Sequence, residues 1–205
     1  MRDYGKTEQK DSRLIVIATE GDVTEPEYFN QIIDLYHNSR IKLHIIKPIE
    51  HRSAPNHVLN NLNRYCKEIG LTKNDYLFIV IDKDRWTMKM LNKVASECEK
   101  KNYLLAISNP NFELWLLLHF ISLQGFLVDK CDHTGYCKTK CRKYLSELGV
   151  YNKKKKIKEI ERYFENLCKA IENAKKIDEC SEKAIPQMIT SRVYKIIDKI
   201  HSIII

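Results

Sequence analysis

Two short apolar runs that end in carboxylates constrain the fold of this chain more than any other feature of its sequence. The first run, LIVIAT at residues 14–19, is followed by Glu20, and the second, YLFIVI at 76–81, is followed by Asp82 and Asp84. Continuous β-branched and aromatic runs of this length are typical of strands buried on both faces, which belong to parallel sheets flanked by helices. We therefore expect an α/β fold with acidic residues at the ends of two strands.

The carboxyl ends of such strands are where open α/β sheets bind their ligands. Three acids, Glu20, Asp82 and Asp84, would meet there and form the oxygen-rich kind of site that holds Mg²⁺ or Mn²⁺. Gly21 would permit a tight turn that brings backbone amides close to a phosphate group. One acid after a strand is weak evidence, but the two patterns together indicate phosphate chemistry.

Strands and helices alternate through the first 123 residues, which predicts βαβ units and a parallel sheet. The pattern predicts strands at 13–18, 41–48, 76–81 and 103–107. It predicts helices at about 25–38, 56–69, 86–101 and 112–123. We expect residues 1–123 to form an α/β domain with a mostly parallel, four-stranded sheet flanked by helices.

The character of the sequence changes after Leu123. Segments near 136–148, 155–177 and 187–202 have helical spacing and are dominated by Lys, Glu, Leu and Ile. We expect residues 124–205 to form a basic, helical C-terminal extension that packs onto the α/β domain.

Positive charge is concentrated in this C-terminal part. The chain has a net charge of +8, and residues 136–176 alone hold thirteen Lys or Arg against five Glu, which equals the whole excess. A solvated helical face and a polyanion-binding face both explain such a segment. Four lysines in it are predicted to begin a helix, where they would oppose the helix dipole and so favour a role in binding nucleic acid: Lys153, Lys154, Lys155 and Lys156.

The composition favours a reducing, aqueous compartment. No stretch approaches the roughly 20 apolar residues of a membrane span, and the N-terminus lacks the apolar run of a signal peptide. Seven cysteines, an odd number in a chain without an export signal, are most simply reduced thiols. We expect a cytoplasmic protein with no membrane partner.

Four potential Zn²⁺ ligands lie close together with the spacing Cys-x-His-x3-Cys-x3-Cys: Cys131, His133, Cys137 and Cys141. This spacing matches no tight zinc knuckle. The alternative is that Cys137 and Cys141, four residues apart, simply share one face of a helix. The sequence leaves both interpretations open.

Two longer motifs resemble a known family. The stretch TEGDVTEPEYF at residues 19–29 is similar to the opening motif of RloB-like proteins, and SNPNFELWLLLHF at 108–120 is the most specific match. A fainter similarity to the C-terminal part of that family runs from Ala184 through Thr190 to Val193. At the level of the fold, the two acidic strand ends resemble the Toprim domain of topoisomerases, primases and OLD nucleases.

This resemblance implies a Toprim-type site for phosphodiester cleavage that depends on a divalent metal. Glu20, Asp82 and Asp84 would be metal ligands, and Glu25 in the first helix would be a further ligand. Glu113 would be a catalytic residue at the same sheet edge, although a glutamate early in a helix also suits the helix dipole. RloB-like proteins accompany restriction and phage-defence genes, often beside an ATPase, and related Toprim effectors are ribonucleases.

Phosphodiester cleavage also needs positive charge near its transition state. Lys83 and Arg85 are the nearest candidates in the sequence. Arg52, just past the second predicted strand, would reach the same edge and hold a substrate phosphate. Each of these residues is alternatively an ordinary surface charge.

The sequence thus favours a metal-dependent nuclease that acts in anti-phage defence, with RNA slightly preferred over DNA on the resemblance alone. Two alternatives stay open. One is a non-catalytic subunit that binds nucleic acid, and the other is a regulatory subunit of a defence complex that contains an ATPase.

Overall fold

A five-stranded sheet forms the centre of the computed structural model, which describes residues 13–35, 41–50, 52–122, 135–152, 154 and 156–204. The strands in chain order are β1 (Arg13–Thr19), β2 (Ile41–Ile46), β3 (Tyr76–Asp82), β4 (Leu104–Asn109) and β5 (Thr190–Ser191). They lie side by side in the order β2-β1-β3-β4-β5. The first four strands are parallel, and β5 pairs antiparallel with the end of β4.

Eight helices in the described residues surround this sheet. They are α1 (Thr24–Leu35), α2 (Pro55–Glu68), α3 (Met88–Lys100), α4 (Phe112–Leu118), α5 (Gly135–Glu147), α6 (Ile160–Glu165), α7 (Leu167–Ile177) and α8 (Tyr194–Ile204). Within β1, Val16 and Ala18 face a core formed with α2 and α3, whereas Ile15 and Ile17 face a larger core formed with α1, α4 and the later helices. Because both faces of the strand are buried, its apolar run is continuous rather than alternating.

The predicted α/β fold with a mostly parallel sheet and C-terminal helices is confirmed, but the sheet has a fifth strand that the sequence did not indicate. Residues 190–191 were expected to lie in a helix, whereas they pair with Ser108 and Asn109. The backbone N–H of Arg192 extends this pairing to the carbonyl of Ile107 at 3.1 Å. A two-residue strand has no hydrophobic period to detect, and α8 begins only at Tyr194.

The prediction that the lysine run begins a helix is wrong. Tyr151 and Ile157 pair in an isolated antiparallel bridge, and Lys154 and Lys156, the described lysines of the run, are not helical. The side-chain carbonyl of Asn152 accepts hydrogen bonds from the backbone N–H groups of Lys154 at 2.9 Å and Lys156 at 3.1 Å. An asparagine that bonds its own following backbone in this way competes with helix formation, and the expected helix at 155–177 is replaced by the shorter α6 and α7.

The strand order creates a switch point between β1 and β3. The chain passes from β1 through α1 to β2 on one side, and later returns to place β3 on the other side of β1. Thr19 of β1 lies opposite Val80 of β3, and the N–H of Glu20 donates to the carbonyl of Val80 at 3.0 Å. The carboxyl ends of the two strands are therefore level, and a crevice opens there, as is general for doubly wound sheets.

The C-terminal helices share their core with the α/β part of the chain. Leu145 of α5, Tyr163 of α6, Ala174 of α7 and Ile196 of α8 are buried in one cluster with Trp115 of α4. Residues beyond 135 thus complete the packing over one face of the sheet. Among the described residues, no helix combines the length and apolar character that crossing a membrane requires.

Candidate functional site

A cleft of about 90 Å³ lies at the switch point between β1 and β3. It is lined by side chains and backbone from the turn after β1, the start of α1, the end of β3, and helices α4 and α5. The lining residues are Glu20, Gly21, Asp22, Val23, Thr24, Glu25, Asp82, Arg85, Phe112, Glu113 and Arg142. Four predicted site residues, Glu20, Glu25, Asp82 and Glu113, meet in this cleft, and each is less than a tenth exposed.

Glu20 is held at the end of β1 by three hydrogen-bond donors. Its Oε2 accepts from the backbone N–H of Asp82 at 3.0 Å and from the indole N–H of Trp86 at 2.9 Å. Its Oε1 accepts from Nη2 of Arg85 at 2.9 Å. Burial raises the pKa of Glu20, and the bonds from Trp86, Asp82 and Arg85 oppose that rise. The carboxylate is therefore fixed in orientation as well as buried.

Glu25 reaches back from the first turn of α1 to the turn after β1. Its Oε1 accepts from the backbone N–H of Gly21 at 3.1 Å. A Cβ on Gly21 would overlap the Glu25 carboxylate, so the position of this acid depends on the glycine. Burial, followed by the charges of Glu113 and Glu20, raises the pKa of Glu25 to about 7.

Asp82 ends β3 at the floor of the cleft. Its pKa lies well above the ordinary range because it is buried and because Glu25, Glu20, Glu113 and Asp84 all add negative charge nearby. Asp84 itself does not line the cleft, although its charge acts on Asp82. One of its oxygens lies 3.9 Å from Nε of Arg85. The five acids therefore form one electrostatic group, with Asp84 at its side.

Glu113, in the first turn of α4, receives its partners from the C-terminal part of the chain. Arg142 of α5 donates to Oε1 of Glu113 through Nε at 2.7 Å and lies at 2.5 Å through Nη2. The hydroxyl of Tyr151 donates to the same oxygen at 3.4 Å and also bonds the hydroxyl of Thr24 at 3.0 Å. Burial lowers the pKa of Arg142, but the charge of Glu113 outweighs it and the net shift is upward.

Lys83 is not among the residues that line the cleft, although it was predicted to stabilise the reaction there. Its ammonium group donates to the carbonyl of Pro186 at 2.7 Å. Its backbone N–H donates to the carbonyls of Ser108 and Pro110 at 2.8 and 3.2 Å. These contacts fasten the segment between Asp82 and Asp84 to β4 and to the loop before β5.

The other predicted basic residues occupy different places. Arg85 lines the cleft with a side chain that is 59% exposed, and its guanidinium lies 5.1 Å from the ring centre of Trp86. Arg52 is exposed, pairs with Glu50 at 3.3 Å and is not brought to the cleft. Lys154 and Lys156 lie in the turn before Ile157, whereas Lys153 and Lys155 fall outside the described residues.

The predicted zinc group lies mostly outside the described part of the chain. Cys131, His133 and the side chain of Cys137 are not described, and Cys141 is a buried, reduced thiol in the main core. In the described residues, no three His, Cys, Asp or Glu side chains are already gathered around one point as a metal ion would require. The zinc hypothesis therefore stays a prediction.

Sequence reasoning missed Arg142 and Tyr151 as members of the site. Arg142 is one of thirteen basic residues between 136 and 176, and nothing in its neighbours distinguishes it. Its place depends on how α5 packs against α4, which no local pattern reveals. Tyr151 is positioned by its bridge to Ile157. The sequence from Tyr151 through Asn152 to Ile157 contains no pattern that predicts this bridge.

The fold and this cleft define the chain as an α/β protein with an acidic cleft, also lined by two arginines, at a sheet switch point. The chain belongs to the RloB-like family, since the family model described as RloB-like protein matches residues 15–200. That span contains every residue that lines the cleft, and it confirms the family predicted from the two motifs. No curated protein and no solved structure matches the chain significantly.

Proposed function

We propose that this protein is a divalent-metal-dependent nuclease of the Toprim type that hydrolyses phosphodiester bonds in anti-phage defence. The observation that carries this proposal is that Glu20, Glu25, Asp82 and Glu113 line one cleft at the switch point. In the described residues no three of them are already gathered around one point, so a bound cation would draw them together. These acids come from three stretches far apart in the sequence: Glu20 and Glu25 lie in the turn after β1 and the start of α1, Asp82 ends β3, and Glu113 begins α4. Packing of the core alone has no need for four buried carboxylates in one cleft, because each costs desolvation energy.

The chemistry of these side chains fits a hard divalent cation such as Mg²⁺ or Mn²⁺. Oxygen ligands suit such ions. Burial first, and then the negative charges of the neighbouring acids, raise the pKa values of Glu25 and Asp82, and a bound cation would offset that repulsion. Glu20, Glu25, Asp82 and Glu113 would hold the cation, with Asp84 beside them. Bound there, the cation would activate a water molecule and neutralise the leaving oxygen of a phosphodiester.

Two guanidinium groups support a phosphate-bearing substrate rather than a cation alone. Arg85 and Arg142 line the same cleft as the acids. A cleft lined by acids without bases would repel a phosphodiester, whereas guanidinium groups bind phosphate oxygens through paired hydrogen bonds. Arg85 is exposed enough to turn toward a substrate at the cleft mouth. The two arginines would orient the phosphodiester and stabilise its growing negative charge.

The biological setting of the proposal rests on the family. The resemblance to RloB-like proteins favours RNA over DNA as the substrate, a role in anti-phage defence, and an ATPase encoded nearby as a partner. We propose that the reaction takes place in the cytoplasm, where the nucleic acids of host and phage meet.

Cleavage assays with the full chain test the proposal. Labelled tRNA, single-stranded RNA and duplex DNA are incubated with the protein in Mg²⁺, in Mn²⁺ and in chelator. We expect cleavage in at least one metal and none in chelator. Asp82→Asn should lower the rate about a hundredfold or more, because lost transition-state stabilisation of a few kcal/mol has that effect.

Glu50→Gln is the matched control for Asp82→Asn. Glu50 follows β2 at the same edge of the sheet, but its side chain is 71% exposed and does not line the cleft. Its variant should cleave like the unaltered protein. Equal rates for Asp82→Asn and the unaltered protein would contradict the proposed site. Tight, salt-sensitive binding without cleavage in any metal, alone or with the ATPase, would instead indicate a non-catalytic subunit.

A further inference from the structure

Arg142 occupies one oxygen, Oε1, of a carboxylate that the proposed cation would use. Its Nε and Nη2 both approach Oε1 of Glu113, at 2.7 and 2.5 Å. The hydroxyl of Tyr151 is directed to the same oxygen. Because three donors converge on this oxygen, a cation can reach it only if the guanidinium moves away.

Arg142 is placed so that it can make such a move. Its side chain is 34% exposed, whereas that of Glu113 is 5% exposed. The buried carboxylate is therefore the fixed partner, and the guanidinium is the partner with access to solvent. Arginine also retains its charge after leaving a carboxylate, since its pKa is far above neutrality.

Arg142 differs in this respect from Arg85, the other arginine of the cleft. Glu20, the partner of Arg85, keeps two further donors in Trp86 and the backbone of Asp82. Arg85 is also 59% exposed, so its guanidinium has access to solvent while it holds Glu20. Arg142, in contrast, can bind a substrate only after Glu113 has taken another partner.

We propose that a divalent cation and Arg142 exchange at Glu113, and that the released guanidinium then binds a phosphate of the nucleic-acid substrate. This inference rests on the proposed function and adds a substrate-binding residue to it. In the metal-free protein Arg142 neutralises Glu113; with the cation in place it faces the phosphodiester. Cation and nucleic acid therefore promote each other's binding, as linkage requires.

Binding measurements on Arg142→Gln test this exchange. A fluorescent single-stranded RNA oligonucleotide is titrated with the full chain in chelator and in Ca²⁺, and the change in anisotropy is followed. In chelator the variant should bind RNA within about twofold of the unaltered protein, because Arg142 is held by Glu113. In Ca²⁺ the variant should bind about fivefold more weakly or worse, a ratio typical of coupled sites.

Lys143→Gln is the matched control, because it removes one positive charge from the adjacent position of the same helix. Lys143 is 73% exposed and lies 3.8 Å from Glu147. Its variant should show the same small change in RNA affinity in Ca²⁺ and in chelator. Without RNA, calorimetry should find that Ca²⁺ binds Arg142→Gln several times more tightly than it binds Lys143→Gln.

Two results would overturn the exchange. One is an RNA affinity of Arg142→Gln that equals the unaltered protein's in Ca²⁺, and the other is an equal weakening with and without Ca²⁺. If Arg142→Gln fails to fold, Arg142→Lys keeps the charge without the fork of donors and should show the same conditional loss to a smaller degree. If the unaltered protein binds neither Ca²⁺ nor Mn²⁺, the proposed function is contradicted as well. If it binds a cation and either result above is found, only the exchange is contradicted.

Discussion

The side chain of Glu25 is buried, accepts a backbone hydrogen bond and is repelled by neighbouring acids. It accepts from the N–H of Gly21, and its pKa is raised to about 7 by burial and by the charges of Glu113 and Glu20. In the unfolded chain the same group ionises near its ordinary value of 4.5. Between these two values the folded protein holds a proton that the unfolded chain releases, so a rise in pH through this window lowers the stability of the metal-free protein.

Glu25→Gln should remove that penalty. In chelator, the free energy of unfolding of the variant should exceed that of the unaltered protein. This difference should be about 2 kcal/mol larger at pH 8 than at pH 5. Burial lowers the pKa of His119 to about 3, so the folded protein loses stability as the pH falls below 6.5. This loss is the same in both proteins and therefore cancels in the comparison. Urea unfolding at the two pH values measures the difference. Parallel stability profiles for the two proteins would contradict the charge repulsion described for Glu25.

Gly21→Ala should disturb the site more than the fold. The added methyl group would overlap the carboxylate of Glu25, which must then leave its place beside the other acids. We expect Mn²⁺ affinity and the cleavage rate to fall about tenfold or more, while far-ultraviolet circular dichroism stays unchanged. Gly70→Ala is the control, because no atom lies within 4 Å of its added Cβ. Equal Mn²⁺ affinity for both variants would show that Glu25 does not hold the cation.

The acids of the site were predictable from sequence because each lies next to a strong local pattern. Glu20 and Asp82 follow buried strands, and Glu25 and Glu113 lie in first turns of helices that start at the same sheet edge. Arg142 was not predictable in the same way. It reaches Glu113 across 29 residues of sequence through the packing of α5, and neither charge nor periodicity indicates that contact.

At the scale of elements, one buried arginine connects the last strand and helix to the rest of the molecule. Arg192 is 1% exposed and forms an ion pair with Asp178, the residue after α7, at 3.0 Å. It also donates to the carbonyls of Cys180, Lys183 and Ala184 in the following loop. That loop continues to Pro186, whose carbonyl binds the ammonium of Lys83. The position of the Asp82–Asp84 segment is thereby linked to the C-terminal fold.

Arg192→Met should destabilise the protein by about 3–5 kcal/mol, because it leaves Asp178 buried without its counter-charge. Lys175→Met is the comparison at an exposed ion pair, since Lys175 and Asp198 are 50% and 40% exposed. That variant should cost less than about 1 kcal/mol. Chemical denaturation followed by tryptophan fluorescence measures both. A loss of similar size in the two variants would contradict the role assigned to Arg192.

The elements that the sequence predicted well are those with long, regular hydrophobic patterns. Strands β1, β3 and β4 and helices α2 and α3 all lie within a few residues of their expected ranges. The lysine run and β5 were predicted wrongly for different reasons. Asn152 turns the backbone in the first case, and in the second the two residues pair with β4 only because the whole C-terminal part packs against it.

At the scale of the whole molecule, the cleft requires both parts of the chain. The α/β part supplies the four buried carboxylates, and the C-terminal part supplies Arg142 and Tyr151 to Glu113. The match to the RloB-like family, residues 15–200, covers most of both parts and every residue that lines the cleft. We therefore expect a chain that ends before α5 to lack a complete site even if its sheet still forms.

We propose above that the acids at the switch point hold a divalent cation. Anomalous diffraction from crystals of the full chain grown with Mn²⁺ tests it most directly. We predict a strong anomalous peak in the cleft, within coordination distance of carboxylate oxygens of Asp82 and at least one of Glu20, Glu25 and Glu113. An empty cleft in crystals grown at saturating Mn²⁺, or a peak only at other surfaces of the protein, would contradict the claim.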